Sequence, residues 1–144
     1  MGKGKIALLL LAMGMALSGC QEGEASKPAS APLSERKAKL TKATVDVEKK
    51  DNWWVVPGDR TNLTFQVEAS NTDTVLFWYY PAGTDVEGEK TLLGYDSDGR
   101  DGWSFTWEFE KRVFHEYILV QAIGSDGASL ASETFNLHTE DGSE

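Results

Sequence analysis

Cysteine and histidine are nearly absent from this sequence. Its 144 residues include one cysteine, Cys20, and two histidines, His115 and His138. A single cysteine excludes a disulfide within one chain. No cluster with zinc-ligand spacing, Walker loop or glycine-framed serine is present either. We therefore expect a protein that is not an enzyme.

Long apolar runs are also scarce, and the longest lies near the amino terminus, over residues 6–17. Lys3 and Lys5 precede it, and the small residues Ser18 and Gly19 follow it. This order of charge, apolar run and small residues is typical of a secretory signal peptide. The run has 12 residues, whereas a helix needs about 20 to cross a bilayer core. We predict a signal peptide over 1–19 and no permanent spanning anchor.

Cys20 stands directly at the expected cleavage point. The segment Leu17-Ser18-Gly19-Cys20 resembles the lipobox of bacterial lipoproteins. The resemblance implies a diacylglyceryl group on the thiol, cleavage before Cys20 and acylation of the new amino terminus. Two or more acyl chains hold a protein stably on a membrane. It therefore implies lipid attachment at Cys20, on the cell membrane or outer membrane, with the folded part outside the cytoplasm. A secreted protein with a stray cysteine is the alternative.

The segment after Cys20 has few large apolar residues. Residues 20–43 are rich in alanine, serine, lysine and glutamate and contain Pro28 and Pro32. Such a composition buries too little surface to offset its ordering entropy. We predict a lipidated amino terminus followed by a flexible tether up to residue 43, with a short helix over 34–42 as the alternative.

Basic residues are scarce in the remainder of the chain. Residues 44–144 contain 7 basic and 20 acidic side chains, a net charge of −13. This charge repels nucleic acid and anionic membrane surfaces. We expect no nucleic-acid partner, and we predict an acidic tail over 139–144.

Period-two alternation and frequent turn residues predict an antiparallel β domain over 44–138. A first strand over 44–49 is followed, after Asp51-Asn52, by the segment 53–56. The second to seventh strands are predicted over 62–69, 74–80, 90–95, 103–109, 116–123 and 128–137. In the sixth strand, either Tyr117 and Leu119 or Ile118, Val120 and Ala122 face inward. About seven short strands in about 95 residues favour a β-sandwich.

Three segments resemble bacterial immunoglobulin-like domains of extracellular proteins: 74–80, 92–104 and 120–127. The resemblance covers most of residues 44–138. It implies a single immunoglobulin-like antiparallel sandwich, with Trp78 as the core tryptophan of the third strand and Tyr117 as the tyrosine of the corner before the sixth.

The segment Asp96-Ser97-Asp98-Gly99-Arg100-Asp101-Gly102 is a candidate metal site. Alternate aspartates in a glycine-bearing loop can converge on Ca²⁺, which takes oxygen ligands. Asp96, Asp98 and Asp101 are the candidate ligands. The alternative is a solvated turn between two strands, for which Asp, Ser and Gly are the usual residues.

Trp53 and Trp54 are candidate ligand-binding residues. Adjacent residues of a strand point to opposite faces, so one of the two is expected to be exposed and able to stack on a sugar ring. The sequence thus predicts a membrane-anchored, non-catalytic module that binds an envelope or surface protein. A glycan or cell-wall module using exposed aromatics and a calcium-stabilised adhesion module are the alternatives.

Overall fold

The computed structural model describes Pro32 and residues 36–83 and 89–140, all within one compact unit, Ala31–Glu144. These residues form nine strands and a single-turn 3-10 helix, Gly99–Asp101. The prediction of an all-β fold is confirmed. The strands are β1 (Lys39–Val45), β2 (Glu48–Lys50), β3 (Trp53–Val56), β4 (Asn62–Ser70), β5 (Thr72–Pro81), β6 (Thr91–Asp96), β7 (Trp103–Glu108), β8 (His115–Gly124) and β9 (Leu130–Thr139).

The strands form two sheets. One has three strands in the order β1-β4-β7, and the other has six in the order β2-β3-β9-β8-β5-β6. Neighbouring strands are antiparallel except β3 and β9, which run parallel. The chain therefore moves from the smaller sheet at β1 to the larger one at β2 and β3, and returns to the smaller at β4.

Apolar side chains from both sheets meet in one core. Phe65 of β4 lies 5.9 Å from Phe77 of β5 and 5.7 Å from Phe135 of β9, between ring centroids. All three rings are almost fully buried. Along β4 and β7 the inward residues alternate with polar ones, as the sequence predicts. The rest of the buried cluster is Val45, Val56, Leu63, Val67, Val75, Trp103, Phe114, Ile118, Val120, Ala122 and Leu137.

The inward side of β8 is the one with Ile118, Val120 and Ala122, all fully buried. Tyr117 points to the opposite face, where its ring stacks on Tyr80 at 5.2 Å. A corner role for Tyr117, implied by the resemblance, is therefore wrong in this register.

The core position on β5 belongs to Phe77, which is fully buried. Trp78 is its neighbour on the strand, so it faces away from the core and is half-buried. The expectation that Trp78 is the core tryptophan is wrong, because the continuous apolar run over 75–80 hides the alternation that would reveal its register.

Both predicted ends of the domain need correction. β1 begins at Lys39, inside the predicted tether, because Leu40 and Ala43 pack against the core and Ala38 donates its N–H to Ser129 Oγ at 2.7 Å. At the other end, Thr139 is buried as the last residue of β9, where the tail was predicted to begin. The predicted signal peptide, Cys20, most of the tether and residues 141–144 lie outside the described residues.

Gly94 of β6 is required by close packing between the sheets. A Cβ at this position would lie 2.2 Å from the Phe105 ring. Its absence lets Phe105 of β7 stack on Phe77 at 5.1 Å, which closes the core between the outer strands of both sheets. In the described part of the chain, no helix is long and apolar enough to cross a membrane.

Candidate functional site

The outer face of the six-stranded sheet is apolar across three neighbouring strands. Cross-strand pairs place Leu76 beside Tyr95, and Trp78 between Leu92 and Leu119. Because paired residues share a face of the sheet, these side chains form one contiguous surface, which we call the aromatic face. Its apolar residues are Leu76, Trp78 and Tyr80 of β5, Leu92 and Tyr95 of β6, and Tyr117, Leu119 and Ile123 of β8, and the polar Gln121 of β8 lies on the same face opposite Leu76.

The aromatic face is most exposed at β6, the edge strand of its sheet. Tyr95 is 63% exposed and Leu92 is 43% exposed. Lys90 places its Nζ atom 4.5 Å from the centre of the Trp78 ring, so a cation–π contact covers part of the indole. The indole Nε1 is buried without a hydrogen-bond partner. The β6 side of the aromatic face therefore combines exposed apolar side chains with an indole N–H that has no hydrogen-bond partner.

Toward β8 the same face is dense. Tyr80 is 5% exposed and Leu119 is 9% exposed, although both point away from the core. The Tyr80 and Tyr117 rings stack on each other. The buried members form the floor of the aromatic face, and the exposed members, Leu92 and Tyr95 of β6, form its rim. Exposed apolar surface of this kind marks interaction sites.

Trp53 and Trp54 occupy opposite faces of β3, as predicted for adjacent strand residues. Trp54 points inward and its ring lies 5.6 Å from Phe135. Trp53 points outward and is 37% exposed. The two tryptophans therefore do not form one platform, and only Trp53 is placed to contact a ligand. A glycan at Trp53 stays a prediction.

His115 and His138 lie beside Trp53. They face each other across the first pair of the β8–β9 ladder, with Nδ1 atoms 3.5 Å apart. His138 directly precedes the predicted acidic tail over 139–144, and the structure places it within β9. The sequence could not bring the two histidines together, because they are 23 residues apart and their register depends on the β8–β9 hairpin.

The aspartates of the predicted calcium loop have other partners. Asp96 accepts the backbone N–H groups of Asp98 at 2.9 Å and Ser104 at 2.9 Å. Asp98 forms an ion pair with Arg100. The hydrogen bonds from Arg100, first from its side chain and then from its backbone, lower the pKa of the Asp98 carboxyl below its ordinary value. These contacts favour the solvated-turn alternative.

The packing of the 96–102 loop and its ligand set also bear on the calcium prediction. A Cβ at Gly99 would lie 2.4 Å from the Trp103 ring, so this glycine is needed for packing. The described residues contain no group of three or more His, Cys, Asp or Glu side chains that could hold a metal. Calcium binding by Asp96, Asp98 and Asp101 stays a prediction that this geometry does not support.

A buried carboxylate at one end of the core was missed in the sequence. Glu116 is 8% exposed, and its Oε1 atom accepts a hydrogen bond from Tyr79 Oη at 3.0 Å and pairs with Arg112. Its Oε2 atom is buried without a partner. The spacing of four between Arg112 and Glu116 suggests a helical pair, whereas here a loop carries Arg112 over the strand that holds Glu116.

Aromatic rings surround the Arg112 guanidinium. Its central carbon lies 5.4 Å from the Tyr79 ring, 5.8 Å from Trp107 and 5.1 Å from Phe114. Burial opposes the charge, but hydrogen bonds to Tyr79 and the nearby Glu116 carboxylate outweigh it and raise the pKa of Arg112. The guanidinium, the Glu116 carboxylate and these rings therefore form one packed polar and aromatic cluster.

The outer face of the three-stranded sheet has the opposite character. Thr64, Gln66 and Glu68 of β4 line up with Thr106 and Ser104 of β7 and with Thr44 and Lys42 of β1. Lys42 and Glu68 form an exposed ion pair at 3.6 Å. The outward side chains of these strands are polar. A depression on this sheet is lined by Lys42, Thr44, Gln66, Glu68 and Ser104 together with Val67, Asp101, Gly102 and Trp103. The aromatic face is therefore the better candidate for partner contact.

No protein-family model matches the chain, and no curated protein matches it. A superoxide reductase (neelaredoxin) from Ignicoccus hospitalis is 12% identical with a TM-score of 0.43, and the alignment covers 72% of this chain and 80% of that one. A polysaccharide deacetylase from Bacillus cereus is 10% identical, with a TM-score of 0.44 over 66% of this chain and 30% of that one. An engineered protein is 14% identical, with a TM-score of 0.40 over 69% of this chain and 20% of that one. No family assignment follows from likenesses this low.

Proposed function

We propose that this chain is a lipid-anchored envelope protein whose immunoglobulin-like domain is a non-catalytic module that binds a protein partner on its aromatic face. The observation that carries the proposal is the exposure of Tyr95 and Leu92, at 63% and 43%, beside the half-buried Trp78. Contiguous apolar surface of this kind marks interaction sites on soluble domains.

The strand order supports the immunoglobulin-like assignment. In that fold, strands A, B and E belong to one sheet and strands C, F and G to the other. Here β1, β4 and β7 take the places of A, B and E, and β5, β8 and β9 those of C, F and G. Residues 44–138 contain no cysteine. The Phe77 ring is tilted against Phe65 and stacked on Phe105, and these three rings fill the space between the sheets.

Charge indicates the chemistry of the partner. The segment 44–144 has a net charge of −13, so a partner with basic residues around an apolar patch is attracted and oriented on approach. Lys90 is the basic residue at the rim of the aromatic face, above Trp78. An acidic counterpart on the partner fits that position.

Site-specific photocrosslinking in intact cells tests the binding face. A photoreactive amino acid replaces Tyr95 on the aromatic face, and in a matched variant it replaces Ser104 on the polar face of the smaller sheet. We expect a defined protein adduct from position 95 and none from position 104. The adduct should be lost when Leu92→Asp is added, because a charge interrupts the apolar contact. Equal adducts from both positions would refute the assignment.

A pull-down with isolated cell wall distinguishes the glycan alternative. If the chain binds cell wall and Trp53→Ala removes the binding while Leu92→Asp does not, the ligand is a glycan at Trp53, and the proposed protein partner is wrong.

Replacement of Cys20 tests the anchor separately. Cys20→Ala removes the thiol on which the lipobox resemblance predicts a lipid. The protein should therefore move from the membrane pellet to the soluble fraction. Gln21→Ala, one residue away, should leave it in the pellet. If Cys20→Ala still sediments with membranes, the lipid-anchor proposal fails, whatever the outcome at the aromatic face.

A further inference from the structure

The two histidines of the chain form a pair at one end of the β8–β9 ladder. His115 and His138 are directly opposite in the β8–β9 ladder, with their rings inclined at 73° and their centroids 5.7 Å apart. The two Nδ1 atoms are 3.5 Å apart.

The separation of the Nδ1 atoms fits a shared metal better than a hydrogen bond. Hydrogen bonds donated by N–H are usually about 2.9–3.0 Å long between heavy atoms, so 3.5 Å is at the far limit of that contact. Two imidazole nitrogens bound to one tetrahedral ion at about 2.0–2.1 Å each are separated by roughly 3.3 Å. We propose that Nδ1 of His115 and Nδ1 of His138 bind one divalent transition-metal ion.

Backbone pairing fixes the two ligands before an ion arrives. The β8–β9 ladder continues for nine paired positions from His115–His138 to Ile123–Leu130. β3 then pairs with β9 on the other side and brings Val55 opposite His138. Ligands held by rigid strands lose little conformational freedom on binding, which compensates in part for their small number.

Trp53 covers the pair. Its ring stacks on His115 at 5.9 Å and 25°, and lies 5.5 Å from the His138 ring. The indole packs beside both imidazoles and forms an apolar side of the site. An apolar cover of this kind controls solvent access to a bound metal.

The ligand type selects the ion. Imidazole nitrogen suits Cu²⁺, Ni²⁺ and Zn²⁺, whereas Ca²⁺ takes oxygen ligands. Two protein ligands leave the other coordination positions to water. Among these ions the general affinity order places Cu²⁺ first, so Cu²⁺ is the most sensitive probe. This site lies apart from the Asp96 loop and does not depend on the proposed partner or anchor.

Titration of the purified full-length chain with CuSO₄ at pH 7.5 tests the site. Every sample carries Cys20→Ser, so that the thiol contributes no ligand. We expect one equivalent of Cu²⁺ to quench tryptophan fluorescence and to give an electron paramagnetic resonance spectrum with nitrogen coupling from two imidazoles. Acid should weaken binding, because protons compete with the metal for the imidazole nitrogens.

Variants assign the ligands. His115→Asn and His138→Asn should each weaken Cu²⁺ affinity by at least about tenfold. Trp53→Phe removes the indole beside the pair and should lose most of the quenching, and Asp98→Asn is the matched control outside the site. Circular dichroism verifies that each variant folds. If either histidine variant binds Cu²⁺ as tightly as the parent, or the spectrum shows a single nitrogen ligand, the shared site does not exist.

Discussion

On the outer face of the three-stranded sheet, β4 presents Thr64, Gln66 and Glu68, whereas on the outer face of the six-stranded sheet β5 presents Leu76, Trp78 and Tyr80. Both strands place an equally apolar side toward the same core. The difference therefore does not come from folding, because a wet outer face is sufficient for a stable antiparallel sheet. The apolar side chains of this second outer face exceed what a stable sheet needs, and the exposed ones, Leu92 and Tyr95, lie on its edge strand β6.

The two faces also differ in how their charges are used. On the polar face, Lys42 pairs with Glu68, and both groups remain well hydrated. On the aromatic face, Lys90 lies over Trp78 and shields the edge of an apolar surface. A charge that covers an aromatic ring limits self-association of an exposed face while leaving the face available to a partner that displaces it.

The largest effect should come from the inward side of β4, which the sequence pattern and the structure both assign to the core. Phe65→Ala removes a ring that contacts Phe77 and Phe135, so we expect a loss of about 3–5 kcal/mol in the free energy of unfolding. Gln66→Ala, the next residue on the polar face, should change it by less than about 0.5 kcal/mol. Urea denaturation followed by circular dichroism measures both. Similar losses for the two variants would remove the distinction between the inner and outer sides.

Trp78→Ala should have an intermediate effect on stability. The side chain is half-buried on the outer face, so its removal should cost about 1–2 kcal/mol of unfolding free energy. The same urea experiment measures this. A loss as large as that of Phe65→Ala would mean that Trp78 belongs to a second core, and the aromatic face would then be structural.

The alternation of apolar and polar residues determined which strand faces could be predicted from the sequence. Along β4 and β7 the apolar and polar residues alternate, and the predicted faces are confirmed. Along β5 every residue over 75–80 is apolar, so the sequence contains no local signal of register. The partner strands decide it, because Gly94 and Val120 lie opposite Phe77 and leave it room in the core.

Long-range contacts explain the remaining misses. β1 begins at Lys39 although its residues are mostly polar, because β4 supplies a partner ladder that no local propensity reveals. Arg112 and Glu116 meet through a loop whose path depends on the aromatic rings of Tyr79 and Phe114. The His115–His138 pair likewise requires the full β8–β9 register. Each of these depends on tertiary pairing, which a single sequence does not show.

Tyr95→Lys should alter association and leave stability almost unchanged. Tyr95 is 63% exposed, so the free energy of unfolding should change by less than about 0.5 kcal/mol. Concentration-dependent self-association, measured by sedimentation velocity, should decrease because the apolar rim is interrupted. Ser104→Lys on the polar face is the control and should have no effect. Equal effects of the two lysines would show that net charge, and not the aromatic face, controls association.

Replacements of two lysines, one on each outer face, should have small effects of different size. Lys42 and Glu68 have side chains that are 62% and 67% exposed, so hydration and mobility cancel most of their attraction. Lys42→Ala should therefore change the free energy of unfolding by less than about 0.3 kcal/mol. Lys90→Ala removes a cation–π contact at 4.5 Å from the Trp78 ring, and it should cost about 0.5–1 kcal/mol.

A double-mutant cycle tests whether Lys90 acts through the Trp78 indole. If Lys90 acts through the indole, its effect on unfolding should vanish in a Trp78→Ala background, while the effect of Lys42→Ala should be the same in both backgrounds. Urea denaturation of the four proteins in each cycle measures the coupling. If Lys90→Ala costs the same with and without Trp78, the lysine does not shield the ring. The rim of the aromatic face would then be open to solvent, and its apolar area would need an external partner even more.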